Sequence, residues 1–167
     1  MAELNYFAYG SNMSFQRLQK RVPSARVIGV SSLIGHTLRF HKIGNDGSAK
    51  ADAFYTENVS DILFGVLYSM GSSDKKWLDE AESLGNGYEE KVVTLLSDSG
   101  QSSVGFLYYA TYINSALRPF SWYVHHILWG ATAAGLPDGY VKKINKVQTI
   151  EDENRQRDAL ERSLYPR

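Results

Sequence analysis

Two stretches of this 167-residue chain carry the residue types needed to hold a small polar molecule and move a proton on it. They are Tyr6-Phe7-Ala8-Tyr9-Gly10-Ser11-Asn12-Met13 and Trp77-Leu78-Asp79-Glu80-Ala81-Glu82-Ser83-Leu84. In the first, Leu4 to Tyr9 is short and aromatic-rich, as a strand is, and Gly10-Ser11-Asn12 breaks it before a helix-compatible run from Ser14 to Arg21. A glycine directly after a strand lets the backbone turn sharply, and successive amides in such a turn can face one concavity suited to an anion. The following helix adds the positive end of its dipole. The same residues also fit a plain strand-to-helix turn with Asn12 or Ser14 as the cap. A serine nucleophile at Ser11 is disfavoured, because the Gly-x-Ser-x-Gly elbow is absent and no histidine lies nearby in sequence.

In the second stretch, helical periodicity puts Trp77, Leu78 and Ala81 on one face, with Glu82 almost above Leu78 one turn later and Glu80 roughly opposite it. A carboxylate pushed against an apolar wall has its ionised form disfavoured, which prepares it for proton transfer near neutral pH. The competing reading has the helix fraying after Glu80, with Glu82 solvated. Eleven tyrosines exceed the needs of a core this size, and Tyr88, Tyr108, Tyr109, Tyr112 and Tyr123 are candidates to wall a ligand from water, or to be ordinary core and rim residues. The histidines point to no metal: His125 and His126 diverge on a helix, and the odd spacing of His36 and His41 puts them on opposite faces of a strand.

The elements that must position these residues read as α+β. Strands are expected over Ala25 to Ser32, His36 to Ile43, Ala51 to Thr56 and Ile62 to Met70, and a hairpin joins Tyr88 to Ser97 with Ser102 to Tyr112. Ser72 and Ser73 are N-cap candidates for a helix to about Glu82, and Asp74 suits its N-terminal dipole. Pro119 suits the first turn of a helix whose stripe is Tyr123, Ile127, Leu128 and Ala131 and which ends near Gly135; a further helix starts near Pro137. Strands followed by helices, without βαβ alternation, predict a small mixed β-barrel flanked by helices. One domain over residues 1–150 is expected, followed by a charged tail, 151–167, as a solvated helix or loose end.

Eighteen basic and eighteen acidic side chains balance, so no global field attracts a polyanion, and nucleic-acid binding is not expected. Without cysteine there are no disulfides, thiolate metal sites or cysteine nucleophile. No apolar run approaches bilayer-spanning length and no signal-like segment opens the chain, so no membrane partner and a cytoplasmic location are expected. A homodimer is left open.

Taken together, the blocks resemble the γ-glutamyl cyclotransferase (AIG2-like) family. Tyr6-Phe7-Ala8-Tyr9-Gly10-Ser11-Asn12 matches its N-terminal signature, and Pro23-Ser24-Ala25 and Phe64-Gly65-Val66-Leu67-Tyr68-Ser69-Met70 follow in the expected order. Leu78-Asp79-Glu80-Ala81-Glu82 matches the segment carrying the family's catalytic glutamate, which transfers to Glu82, and Gly87-Tyr88 sits where the family has a glycine and an active-site tyrosine. Pro119, Tyr123, Gly130-Ala131 and Gly135-Leu136-Pro137 complete the match. Two departures touch the pocket: Ser83 stands where a glycine commonly follows the acid, and the loop before Tyr88 is slightly short.

The resemblance implies a cofactor-free reaction on a small γ-glutamyl substrate. The α-amine attacks its own γ-carbonyl, closing 5-oxoproline and expelling an amine or amino acid. Glu82 carries the proton, Tyr9, Gly10, Ser11, Asn12 and Tyr88 bind substrate, and the loop amides hold either the α-carboxylate or the developing oxyanion. Two alternatives share these residues: removal of a γ-glutamyl group from a biosynthetic intermediate, and a non-catalytic binding protein on the same fold.

Overall fold

The computed structural model describes residues 2–167. Five strands close a barrel in the order β1 (Glu3–Ala8), β5 (Ile62–Gly71), β2 (Arg26–Ile34), β6 (Tyr88–Ser97) and β7 (Ser102–Ala110). Neighbours are antiparallel, except where β7 closes against β1 in parallel, with Tyr6 opposite Phe106. β3 (His36–Ile43) and β4 (Ala49–Tyr55) form a separate two-stranded sheet. The apolar residues of β5 and β7 meet β1 inside the barrel, where Phe7, Leu63, Leu67, Leu95 and Leu107 are buried. The expected mixed barrel with flanking helices is the fold observed.

α1 (Phe15–Arg21) leaves the site loop with Ser14 as its N-cap, the hydroxyl accepting from the Arg17 amide at 3.3 Å. α2 (Lys75–Ala81) carries the second candidate stretch, and α3 (Ser121–Ala134) lies across the loop after β1. Gly130 permits that crossing: a Cβ there would fall 2.2 Å from the Met13 carbonyl carbon and 2.4 Å from the Ser14 nitrogen. α4 (Asp138–Asn145) and α5 (Arg155–Arg162) follow.

Several local expectations are corrected. The α2 cap is not a serine: Asp74 precedes Lys75, and its carboxylate instead accepts from the amide and hydroxyl of Ser24 at 3.0 and 2.6 Å. Pro119 lies before α3, because the carbonyl of Pro119 and the amide of Ser121 are used to pair with Ile150. A bulge between Phe40 and Lys42 breaks strand alternation, and His36 and His41 are both buried. The segment 151–167 is not a loose end. α5 buries no residue, as a solvated helix should, but both its flanks are anchored. Asp152 accepts from the Trp122 indole at 2.9 Å, and the Tyr165 hydroxyl sits between His126 and Ser14 while its ring stacks on Trp129. Among the described residues no helix is long and apolar enough to cross a membrane.

Candidate active site

The loop after β1 makes a single 3-10 turn, Ser11–Met13, closed by the Met13 amide on the Gly10 carbonyl and the Ser14 amide on the Ser11 carbonyl. A turn of this kind leaves its first amides, those of Ser11 and Asn12, without a carbonyl partner inside it. Gly10, Ser11 and Asn12 line a tight cavity of about 30 Å³ at the barrel mouth. Tyr9 and Tyr88 line it too, as does Glu82, so all six residues singled out from the sequence surround one space.

Glu82 gets there through the way α2 ends. The Leu84 amide bonds the Asp79 carbonyl and the Ser83 amide the Glu80 carbonyl, which is a Schellman motif with Glu82 as the C-cap. The motif requires a left-handed residue after the cap, and Ser83 takes φ 53° there. α3 ends in the same motif with glycine at that position, Gly135 at φ 78°. Glycine suits such a position best, and after Glu82 this chain meets the requirement with a serine.

The surroundings of Glu82 differ from the apolar wall that helical spacing suggests. Of Trp77, Leu78 and Ala81 only Leu78 is buried, and Trp77 is 51% exposed. The Glu82 carboxylate instead meets polar partners: the Asn12 side-chain amide donates to Oε1 at 2.7 Å, and the Arg21 guanidinium lies 3.6 Å away. Asn12 is itself pinned, donating to the Tyr6 hydroxyl at 3.0 Å and accepting from Arg21 at 3.2 Å. Loop and acid are therefore one hydrogen-bonded unit. The neighbouring acids face elsewhere. Asp79 accepts from Tyr108 at 2.5 Å and pairs with Lys75 at 2.7 Å, whereas Glu80 is exposed.

Tyr6, Tyr108, Tyr123 and Ala51 complete the lining. The Ala51 peptide organises two of the phenols, its amide donating to Tyr123 at 3.0 Å and its carbonyl accepting from Tyr88 at 2.5 Å. The Tyr9 hydroxyl is used within the wall, donating to the Tyr108 carbonyl at 2.5 Å. Burial, reinforced by the charge of Glu82, pushes the phenols of Tyr6, Tyr9 and Tyr88 well above their usual range, and Tyr123 is pushed up to about 12. They stay protonated, which leaves Glu82 the one carboxylate lining the inner cavity.

Of the tyrosines proposed as walls, Tyr109 is half-buried outside the cavity and Tyr112 is 61% exposed; Tyr6 replaces them. Arg21, which faces both Asn12 and Glu82, was not found from sequence. Its signal is its position seven residues after Ser14 on α1, which lies behind the loop it supports. Among the described residues no cluster of three or more metal-ligating side chains occurs.

The turn after β1 and a single clamped carboxylate thus meet in one polar cavity, the form of a small-molecule site. The comparisons agree with that class. A model of the AIG2-like family matches residues 62–144. The gamma-glutamylcyclotransferase of Bos taurus is 31% identical over 150 residues, covering 86% of this chain and 78% of its own, and that of Homo sapiens is 30% identical with the same coverage. A solved gamma-glutamyl cyclotransferase structure superposes with a TM-score of 0.87 at 25% identity, covering 97% of this chain and 99% of its own. The chain belongs to the γ-glutamylcyclotransferase family.

Proposed function

We propose that this enzyme cyclises γ-glutamyl compounds to 5-oxoproline, releasing the amine, with Glu82 as the proton shuttle. One observation carries the assignment of the acid: Glu82 is the one carboxylate lining the inner cavity, and Asn12, part of the amide-bearing loop, holds it. In the first step Glu82 takes a proton from the substrate ammonium, freeing the nitrogen lone pair to attack the γ-carbonyl of the same molecule. The carbonyl oxygen becomes an oxyanion, and the loop amides of Ser11 and Asn12 supply the donors for it. Collapse breaks the original amide bond as Glu82 returns the proton to the departing nitrogen, and the second proton, shed by the ring nitrogen as it becomes the lactam N–H, leaves on the released amine as its ammonium. One C–N bond forms and one breaks, with no water consumed and no change of oxidation state.

The protonated phenols of Tyr9, Tyr88, Tyr108 and Tyr123 exclude water and shape the γ-glutamyl pocket without competing for the proton. Gly10 and Ser11 form its floor. The test is to incubate the purified protein with γ-glutamyl amino acids, γ-glutamyl amines and glutathione and to measure 5-oxoproline. Release from at least one class is expected; none from any would overturn the reading.

A further inference from the structure

A buried carboxylate that the mechanism above does not use lies directly behind the cavity wall. Asp52 of β4 is 2% exposed, and both its oxygens are engaged: the Ala110 amide at the end of β7 donates to Oδ1 at 2.7 Å, and His41 Nε2 lies 2.6 Å from Oδ2. An acid withdrawn this far from water is costly unless its oxygens find partners, and here each has one. His41, itself buried, reaches Asp52 from β3. The bulge between Phe40 and Lys42 leaves it without an opposite residue in the β3–β4 ladder, and a bulge of this kind re-aims a side chain.

The residue before Asp52 connects it to the site. The Ala51 amide donates to the Tyr123 hydroxyl and the Ala51 carbonyl accepts from Tyr88, and both phenols line the cavity. Tyr88 and Ala110 also face each other in the ladder between β6 and β7. Four residues therefore close a ring: Asp52 holds the Ala110 amide, Ala110 pairs with Tyr88, the Tyr88 hydroxyl holds Ala51, and a peptide bond joins Ala51 to Asp52. Among the described residues the β3–β4 sheet shares no ladder with the barrel, so Ala51 is presented to the cavity through ties of this kind between β4 and β7.

Resting on the cyclotransfer reading, we propose that Asp52 is a positioning residue for the reaction: tied to Ala110 and braced by His41, it sets the Ala51 peptide, and through it the Tyr88 and Tyr123 phenols, against the bound γ-glutamyl group. Asp52 does not line the cavity, so its effect on substrate passes through those phenols. Its charge reaches the wall too, adding to the rise that burial imposes on Tyr9 and Tyr88. Burial is the larger cause and keeps both phenols protonated without it, which makes the charge redundant and the geometry the contribution that matters. The two roles call for different substitutes. Asparagine keeps an oxygen for the Ala110 amide and offers an NH2 group to His41 Nε2, but carries no charge. Glutamate keeps the charge and is one methylene too long for the ring.

The test measures 5-oxoproline release and thermal melts for wild type, Asp52→Ala, Asp52→Asn and Asp52→Glu, on whichever γ-glutamyl amino acid, γ-glutamyl amine or glutathione the wild type turns over best. In Asp52→Ala, kcat/KM falls by about 10- to 150-fold, the range of a hydrogen bond to a charged group. Asp52→Asn restores most of that loss and Asp52→Glu does not. Tyr88→Phe removes the hydroxyl that Ala51 holds, so in that background Asp52→Ala costs a smaller factor than it does alone, whatever the melts show. A folded Asp52→Ala or Asp52→Glu with wild-type kcat/KM overturns the proposal, as do a folded Asp52→Asn no better than Asp52→Glu and losses that multiply in full with Tyr88→Phe. Should Asp52→Ala not fold, the order of the asparagine and glutamate variants decides by itself. Wild type that makes no 5-oxoproline from any γ-glutamyl compound refutes the cyclotransfer reading itself, a distinct result.

Discussion

Replacing Asn12 by alanine cuts the link between the substrate loop and the acid. The side chain is 3% exposed and makes three hydrogen bonds, to Glu82, to Tyr6 and from Arg21. The bond to Glu82, at 2.7 Å, has an ionised acceptor, and bonds of this kind contribute about 1.5–3 kcal/mol. If that contribution goes into holding the carboxylate where the proton must be taken, its loss lowers turnover by about 10- to 150-fold. Freed from Asn12, the carboxylate has the Arg21 guanidinium 3.6 Å away as its remaining partner and swings towards it. Stability falls as well, because the buried Tyr6 hydroxyl loses its donor; a cost of about 1–3 kcal/mol is expected. The effects separate in a double-mutant cycle. Steady-state 5-oxoproline release and thermal melts are measured for Asn12→Ala, Glu82→Gln and the pair. If Asn12 acts through Glu82, the pair is no slower than Glu82→Gln alone, whereas the stability losses need not follow that pattern. Undiminished turnover in Asn12→Ala, or losses in turnover that add in the pair, would refute the clamp.

Two further changes probe the loop and the helix end. Gly10→Val puts a Cβ 3.1 Å from the Ala51 Cβ, displacing the peptide that orders Tyr88 and Tyr123, so turnover should fall by a larger factor than melting accounts for; a variant with normal turnover contradicts this. Ser83→Gly removes a left-handed non-glycine residue and should stabilise the protein by about 0.5–1 kcal/mol, after the added chain entropy of glycine is subtracted. That is a rise of about 1–4 °C in Tm for a protein of this size, and a lower Tm would show that the serine side chain has a role in the folded state.

How far the sequence alone reaches differs from element to element. The barrel strands are legible because β5 and the β6–β7 hairpin are made of branched and aromatic runs bounded by turns, and a residue's tendency to pair needs no distant information. The loop residues are legible for the same reason, since strand, glycine and helix start follow one another within a few positions. The environment of Glu82 is not. Periodicity describes only α2, while the partners of Glu82 come from 61 and 70 residues earlier in the chain, Arg21 and Asn12, and arrive through the closure of the barrel. The helical argument puts Glu82 on the face that meets the cavity, but not through an apolar wall: Glu82 is placed by a C-cap motif, and its neighbour Trp77 is exposed. The anchoring of the last segment is hidden in the same way, because Asp152 finds Trp122 across 30 residues and Tyr165 finds His126 across 39.

The most direct test of the account compares Glu82→Gln with Glu80→Gln. Glutamine keeps the size of the side chain and its hydrogen-bonding to Asn12 but cannot take up the proton, so Glu82→Gln should lose at least about 10²-fold in turnover, the scale of general acid-base catalysis, while remaining folded and retaining most of its substrate binding. Glu80 is exposed, away from the cavity lining, and its replacement should leave turnover near that of the wild type. 5-Oxoproline release by a Glu82→Gln enzyme at the wild-type rate, or loss of activity in a folded Glu80→Gln enzyme, would place the chemistry on a different group.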